Sequence, residues 1–366
     1  NRPLYHLIIS SEENIKNLDQ IREDHLNFVL SEKKTLTNDS IPIIIWLGHS
    51  VHGNESSGAN ASMLTAYYLL ASEDSETKDI LENSIIIIDP CLNPDGFNRA
   101  ASWVNMHQSD KWIGDLSSIQ FNENWPGGRT NHYWFDLNRD WLLAQHPESK
   151  GRLIQYHQWK PAIVTDHHEM GSNGTFFFQP GVPSRNNPLT PAENYNLTYK
   201  IGTYHADALD RIGSLYFSEE IFDDFYYGKG SSYPDVNGAI GILFEQARVS
   251  GQVSNNSHGI TTFAEAIRNQ FVVSLSTIRS AVENKELFQN YQREFYTKAR
   301  ELAVNDKTKA FAFGSKDDPV KVNHFLKVLN YHQIDIYRNK EKLQIQSESY
   351  DPNEAYIVPL EQDQYR

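Results

Sequence analysis

The sequence predicts an α/β fold: a largely parallel central sheet with helices on both faces, followed by a small C-terminal α/β unit. Three observations lead there. The runs "IPIIIWL" (41–47), "SIIIID" (84–89), "PAIVTDHH" (161–168) and "AIGILFE" (239–245) are nearly continuous in apolar residues rather than alternating. That is the pattern of strands buried on both faces. Helical periodicity fills the intervals between the first three runs, and strand–helix–strand alternation implies a sheet with packed helices. Past about residue 306 a new strand, helix, strand, strand series begins.

Taken in order, the chain opens in a strand-like "PLYHLIIS" before the first buried run. Between the first two runs, Met63, Ala66, Tyr67 and Leu70 fit the i, i+3, i+4, i+7 stripe of a helix packed by that face. "HPESKGRLIQYHQWK" (146–160) reads as a second helix, with Pro147 near its start and Pro161 beyond its end. The stretch from about 91 to 145 reads as one long irregular segment rich in Asn, Trp, Gly and His. Segments of that length are functional or disordered, and its aromatic content argues against disorder. A long helical region is expected over 261–304, with an apolar stripe of Ile267, Phe271, Ile278 and Val282. "KAFAFGS", "PVKVNHFLKVLNYHQ", "IDIYRN" and "AYIVPL" then supply the final series, placing a boundary between 1–304 and an accessory unit at 305–366.

Composition excludes some functions. Lys and Arg number 33 against 47 Asp and Glu, a formal net charge of -14, whereas a nucleic-acid partner needs a basic surface. The single cysteine, Cys91, rules out an intramolecular disulfide without fixing a compartment. No apolar run approaches the roughly 20 residues of a membrane span, and no signal peptide is present. Both ends of the sequence read as cuts.

Each of the four buried runs is followed by reactive polar residues: His52 and Glu55 after the first, "NPDG" (93–96) after the second, His167 and His168 at the third, Glu245 at the fourth. Sites in open α/β sheets form at the carboxyl ends of strands, so these clusters are expected to converge. A catalytic zinc takes three protein ligands and keeps one position open. The three-residue spacing of His52 and Glu55 sets both on one side of a helical turn, although such a pair alone is more often a surface or capping pair. The third ligand would come from "TDHHEMG". Alternation along a strand puts Asp166 and His168 on one face and His167 on the other, and the pattern alone does not choose between the two histidines. Glu245, closing an apolar run, is expected to have a raised pKa suited to a general base. In "FDLNRDW" (135–141), Arg139 offers a planar fork for a carboxylate, and Asp136 is placed to orient a ligating histidine.

The ordered series "HGNE", "NPDG", "DLNRDW", "DHHEMG" and "LFEQA" resembles the zinc metallocarboxypeptidase family, the carboxypeptidase A-like funnelins, over about residues 1–300. The resemblance implies a mixed, largely parallel metallocarboxypeptidase-like sheet and one zinc ion held by His52, Glu55 and His168. The family's Asp-x-His pattern is what selects His168 over His167. It further implies Glu245 as general base, Asn138 and Arg139 as the grip on a substrate's free C-terminal carboxylate, and Asp136 as the partner behind His52. For the arginine that stabilises the oxyanion, Arg129, nine residues before Asn138, is favoured over Arg99. For the tyrosine that covers the substrate, Tyr227 is preferred to Tyr226. One departure is Asp140, where pancreatic members carry Asn; its charge beside Arg139 is expected to bear on substrate preference. The "DHHEMG" continuation and the long aromatic segment are closer to large bacterial members, in which further domains follow the peptidase, and export from the cell is implied on the same ground. The tail has a faint likeness to class I glutamine-amidotransferase-like domains but shows no nucleophile.

The expected activity is therefore zinc-dependent hydrolysis of the C-terminal peptide bond of peptides. Two alternatives stand beside it: a zinc amidohydrolase of the same family acting on cell-wall peptides or modified amino acids, and a non-catalytic peptide-binding module. The first is separated by the substrate panel, the second by the intact set of ligands and base.

Overall fold

The computed structural model describes residues 2–30, 38, 40–315, 317–345 and 347–366. Its strands, in chain order, are β1 (Leu7–Ile9), β2 (Ile43–His49), β3 (Ser84–Asp89), β4 (Ile163–Met170), β5 (Phe176–Phe178), β6 (Ile240–Ala247), β7 (Val253–Asn256), β8 (Gly259–Thr262), β9 (Ala310–Gly314), β10 (Tyr337–Arg338), β11 (Leu343–Ile345), β12 (Glu348–Tyr350) and β13 (Ala355–Pro359). The α-helices are α1 (Glu12–Lys16), α2 (Leu18–Leu30), α3 (Ser56–Ala71), α4 (Ser75–Asn83), α5 (Pro94–His107), α6 (Pro147–Trp159), α7 (Ala192–Arg211), α8 (Phe263–Glu283), α9 (Lys285–Asn305) and α10 (Pro319–Tyr331).

The four apolar runs form the middle of one sheet in the order β1-β3-β2-β4-β6-β5. β3, β2, β4 and β6 run parallel, while β1 and β5 pair antiparallel at the two edges. The fold is thus mixed and largely parallel. Nearly every residue of the four central strands is buried, because helices cover both faces. One core cluster joins Ile43, Ile45 and Leu47 to Leu69, Ile201 and Val273; another joins Ile44 and Trp46 to Leu153, Tyr156 and Trp159.

Strand order decides where a site can form. The chain leaves β2 for β3 on one side and then crosses back to β4 on the other. The carboxyl ends of β2 and β4 therefore flank a topological switch point, where connecting loops diverge and leave a crevice.

Three expectations change. The α3 helix exists, but Met63, Tyr67 and Leu70 face solvent at 63%, 70% and 71% exposure. Its buried face is made instead by Ser57, Gly58, Ala59, Ala61, Ser62 and Thr65, with Ala66 and Leu69. Small side chains let this helix approach β4 and α8 closely, so the apolar stripe indicated a helix but the wrong face of it. Second, the expected irregular stretch contains α5. Asn93 caps it by accepting from the Gly96 amide, with Pro94 in the first turn. Only Gly96 and Ala100 are buried in it, which left the sequence little periodicity to read. Third, the helical region over 261–304 is two helices, parted at Asn284, and of its predicted stripe only Ile278 is fully buried.

In the C-terminal series, β9, β13 and β10 make a three-stranded sheet of their own with antiparallel pairings. This unit docks through His332, just past α10. Its Nε2–H donates to the Leu142 carbonyl at 2.8 Å, and its Nδ1 accepts from the Tyr233 hydroxyl at 2.7 Å. The Tyr233 oxygen in turn accepts from His157 Nε2 at 2.8 Å.

Candidate active site

The loop after β2 begins with Ser50 in the left-handed region at φ 54°, a conformation that costs a residue other than glycine about 1 kcal/mol. The turn carries His52 back over the sheet edge. Gly53 is required there, since a Cβ on it would lie 2.0 Å from the Phe97 amide nitrogen. The "NPDG" turn packs directly on it: Leu92 and Asn93 donate backbone amides to the His49 and Ser50 carbonyls at 2.9 and 3.1 Å. A third loop stacks behind, for a Cβ on Gly96 would lie 2.3 Å from the Gly128 carbonyl oxygen. Three distant segments thus meet backbone to backbone at the mouth of the switch point.

His52, Glu55 and His168 are buried together there, and their ligand atoms all lie within 4.8 Å of one another. His52 Nδ1 is 2.9 Å from Glu55 Oε1, His168 Nδ1 is 2.8 Å from Glu55 Oε2, and the two Nδ1 atoms are 3.1 Å apart. Each ring's other nitrogen meets an aspartate. His52 Nε2 donates to Asp136 Oδ1 at 2.8 Å, and His168 Nε2 donates to Asp166 Oδ2 at 2.9 Å. With both Nε2 protons fixed in this way, both Nδ1 lone pairs converge with the Glu55 oxygens on one point. Such a donor set is satisfied by a cation, and two imidazoles with one carboxylate suit zinc.

The electrostatics agree. Burial works against charge on His168, yet Asp166 and Glu55 hold its imidazole well above the ordinary range, and Glu55 and Asp136 raise His52 likewise. Glu55 is held low despite burial by the two imidazoles. A cluster with these shifts draws positive charge.

Glu245 pairs in register with His168 across β4 and β6, so both side chains project from the same face of the sheet. Burial and the neighbouring Glu55 and Asp166 push its carboxyl up to about 8, against the opposing pull of His168 and His52. Arg129 lies on the other side of the cluster. Its Nη2 and Nε donate to Asp136 Oδ2 at 2.9 and 3.2 Å, and Nη1 reaches Glu55 Oε1 at 3.5 Å. Arg99 is turned away, donating to the Gly127, Thr130 and Asn131 carbonyls.

The Asn138–Arg139 pair divides in its partners. Asn138 is buried; its amide nitrogen donates to Asp166 Oδ2 at 2.9 Å and its oxygen accepts from the Gly230 amide at 2.8 Å. The same amide nitrogen lies 2.9 Å from His168 Nε2, so the side chain packs against the Asp166–His168 pair. Arg139 is exposed, and its Nη1 donates to the Asn138 carbonyl at 2.8 Å. Asp140 does not oppose it: the Asp140 carboxylate accepts from the Gln145 and His146 amides at 3.0 and 2.9 Å. Of the two tyrosines, Tyr226 sits at this place, its hydroxyl donating to the Arg139 carbonyl at 3.1 Å. The Tyr227 hydroxyl is 3.4 Å from Thr190 Oγ1.

His49 and His167 pair in register across β2 and β4. His49 stacks on His167 with ring centroids 4.2 Å apart, and burial pushes His49 down to about 4. His167 Nδ1 donates to Gln270 Oε1 at 2.7 Å, while Gln270 Nε2 donates to the His168 carbonyl at 3.0 Å.

Two supports were not singled out in the sequence. Asp166 was placed on the His168 face by the two-residue spacing, but nothing marked it as that ring's partner. Glu169 is buried beside Glu55: its amide donates to Glu55 Oε2 at 3.0 Å, and its Oε1 accepts from the Ser57 amide in the first turn of α3 at 2.7 Å.

Sheet, switch point and donor cluster together define an α/β protein with a metal-type site at the carboxyl edge of its parallel strands. The family model described as zinc carboxypeptidase matches residues 1–173. Among solved structures, the chain is similar to a metallo-carboxypeptidase from Burkholderia cenocepacia at 14% identity and TM-score 0.49, covering 77% of this chain and 61% of that one. It is similar to carboxypeptidase A from Helicoverpa armigera at 18% identity and TM-score 0.48, covering 77% of this chain and 66% of that one. The chain thus spans a little under two thirds of the length of each. No helix among the described residues is long and apolar enough to cross a membrane.

Proposed function

We propose that the protein is a zinc-dependent carboxypeptidase that removes the C-terminal residue of peptides. The observation that carries this reading is the register pairing of Glu245 with His168, one of three converging ligands, with the exposed guanidinium of Arg139 on the same edge. Zinc held by His52, Glu55 and His168, one ion per chain, would supply Lewis acidity toward water and the scissile carbonyl.

The chain's own groups do the rest. Glu245, kept basic by its partly buried position, takes the proton of the attacking water and returns it to the leaving amine. Arg129, aligned by Asp136, donates to the oxygen that gains charge in the transition state. Arg139 pairs with the terminal carboxylate and so sets the distance from the chain end to the scissile bond. Tyr226, whose hydroxyl donates to the Arg139 carbonyl, closes over a substrate anchored at Arg139. Asn138 keeps Asp166 and His168 aligned.

Elemental analysis combined with a peptide panel tests the reading. Stoichiometric zinc, hydrolysis of peptides with a free C-terminus, little action on amidated ones and loss of activity with a chelator are expected. A chain that holds zinc but cleaves only muramyl peptides or acylated amino acids would move the substrate to the cell wall or to modified amino acids. A chain that binds peptides without turnover would be a binding module.

A further inference from the structure

Three loops meet at the site: one carries Glu55, one carries Arg129, and one follows Glu245. A single side chain touches all three. Glu123 lies in the long aromatic segment, and its carboxylate side chain is only 7% exposed. Its Oε2 accepts from Asn54 Nδ2 at 2.9 Å, one residue before the ligand Glu55. The same oxygen accepts from the Gly128 amide at 2.9 Å, one residue before Arg129. Its Oε1 faces Arg248 Nη2 at 3.4 Å, three residues after Glu245.

We propose that Glu123 is a positioning residue for Arg129: it ties the loop bearing that arginine to the "HGNE" turn and to the end of β6. The inference rests on the carboxypeptidase reading above. The argument is one of preorganisation. A guanidinium on a half-exposed loop stabilises a developing charge only if it is already aimed, since reorienting it during the reaction forfeits the gain. Arg129 is half-exposed itself, at 47% for its side chain, so its aim depends on its backbone. That backbone is anchored from both flanks. Glu123 takes the Gly128 amide on one side, and Arg99 takes the Thr130 and Asn131 carbonyls on the other. Asn93 Nδ2 donates to the Arg129 carbonyl itself at 3.2 Å. Of these anchors only Glu123 also reaches the zinc-ligand turn and the strand of the base. A buried carboxylate with several donors is a strong tie, because charge-assisted hydrogen bonds are roughly twice as strong as neutral ones.

The test is steady-state kinetics on a peptide with a free C-terminus, with zinc content measured alongside, for the wild type, Glu123→Ala, Glu123→Gln, Arg129→Ala and the double variant Glu123→Ala/Arg129→Ala. Glu123→Ala should lower kcat about 10- to 100-fold, the range for removing a partner that orients a working group, with KM within about twofold and zinc unchanged. Glu123→Gln, which retains the oxygen that accepts from Asn54 and Gly128, should recover most of that loss. In the Arg129→Ala background, Glu123→Ala should add less than about twofold, since groups acting through one another are not additive. Should Glu123→Ala not fold, Glu123→Asp carries the same expectation: it keeps the charge but withdraws the oxygen from both amide donors. Full kcat in these variants, or a loss that multiplies fully with that of Arg129→Ala, overturns the inference while leaving the carboxypeptidase reading intact. A wild type that cleaves no peptide overturns that reading, and this inference with it.

Discussion

His52 and His168 face each other with the same ring nitrogen, their Nδ1 atoms 3.1 Å apart, and each donates a hydrogen bond from Nε2 to an aspartate. The two rings come from positions 116 residues apart in the chain, one on the loop after β2 and one within β4. The near-symmetry of their supports, Asp136 and Asp166, sets both tautomers. It turns two buried imidazoles into paired electron donors.

Those supports give the first prediction. Asp166→Asn removes the charge that orients His168, and Asp136→Asn does the same for His52. Each should weaken zinc affinity by about 10- to 100-fold, measured by competition with a chromogenic chelator. Unchanged affinity in both variants would mean that the aspartates serve packing alone.

Arg129 should act late in the reaction. Arg129→Ala is expected to lower kcat by about 100- to 1000-fold, the cost of losing one oxyanion donor, with a small change in KM. A purely KM effect would place the arginine on the ground-state substrate instead.

Arg139 should act on binding. A charge-assisted pair with a carboxylate is worth about 1.5–3 kcal/mol, or about 10- to 100-fold in affinity. Arg139→Ala should therefore raise KM by that factor for peptides with a free C-terminus and leave slow cleavage of amidated peptides unaffected. An equal loss on both substrates removes the role.

Asp89 gives a pH prediction away from the metal site. It ends β3, buried, with Trp46 Nε1 donating to its Oδ2 at 2.8 Å; His6 Nδ1 lies 3.9 Å from its Oδ1, His49 Nδ1 is 3.0 Å from its carbonyl oxygen, and Arg152 attracts its charge. Burial pushes its carboxyl from 3.8 up to about 7, against the opposing pull of Trp46 and Arg152. Because the folded value is the higher one, the protonated form favours folding. That stability is fully present below about 4 and is lost as the pH climbs through about 7. Asp89→Asn, neutral throughout, should narrow the stability difference between pH 5 and pH 8 by about 1–3 kcal/mol, read from urea unfolding at the two values. Identical pH profiles for variant and wild type would contradict this.

Much of the framework was legible because buried parallel strands write themselves as unbroken runs. "IPIIIWL" and "SIIIID" lie within two residues of β2 and β3, and each run ends where the polar clusters begin. Alternation along "TDHHEMG" separated His168 from His167, and the structure puts them on opposite faces, one at the donor cluster and one stacked on His49. What stayed hidden depends on partners far along the chain. Tyr226 and Tyr227 are neighbours in sequence, and only the path of their loop brings one of them to Arg139. The contact of Asn138 with Asp166, 28 residues on, has no signal in the local sequence. Met63, Tyr67 and Leu70 make a convincing buried stripe, but the helix is drawn in by its small residues. Glu123 has no local signature, since two of its partners, Asn54 and Arg248, lie 69 and 125 residues away and only Gly128 is near it in sequence.

The central claim is that the partly buried carboxylate of Glu245, beside the proposed metal ligands, moves the proton. The most direct measurement is turnover and zinc content of Glu245→Gln on a peptide with a free C-terminus. The account predicts a fall in kcat of about 100- to 10,000-fold, the range for losing a general base, with zinc still bound one per chain. Near-normal turnover in the zinc-loaded variant would contradict it.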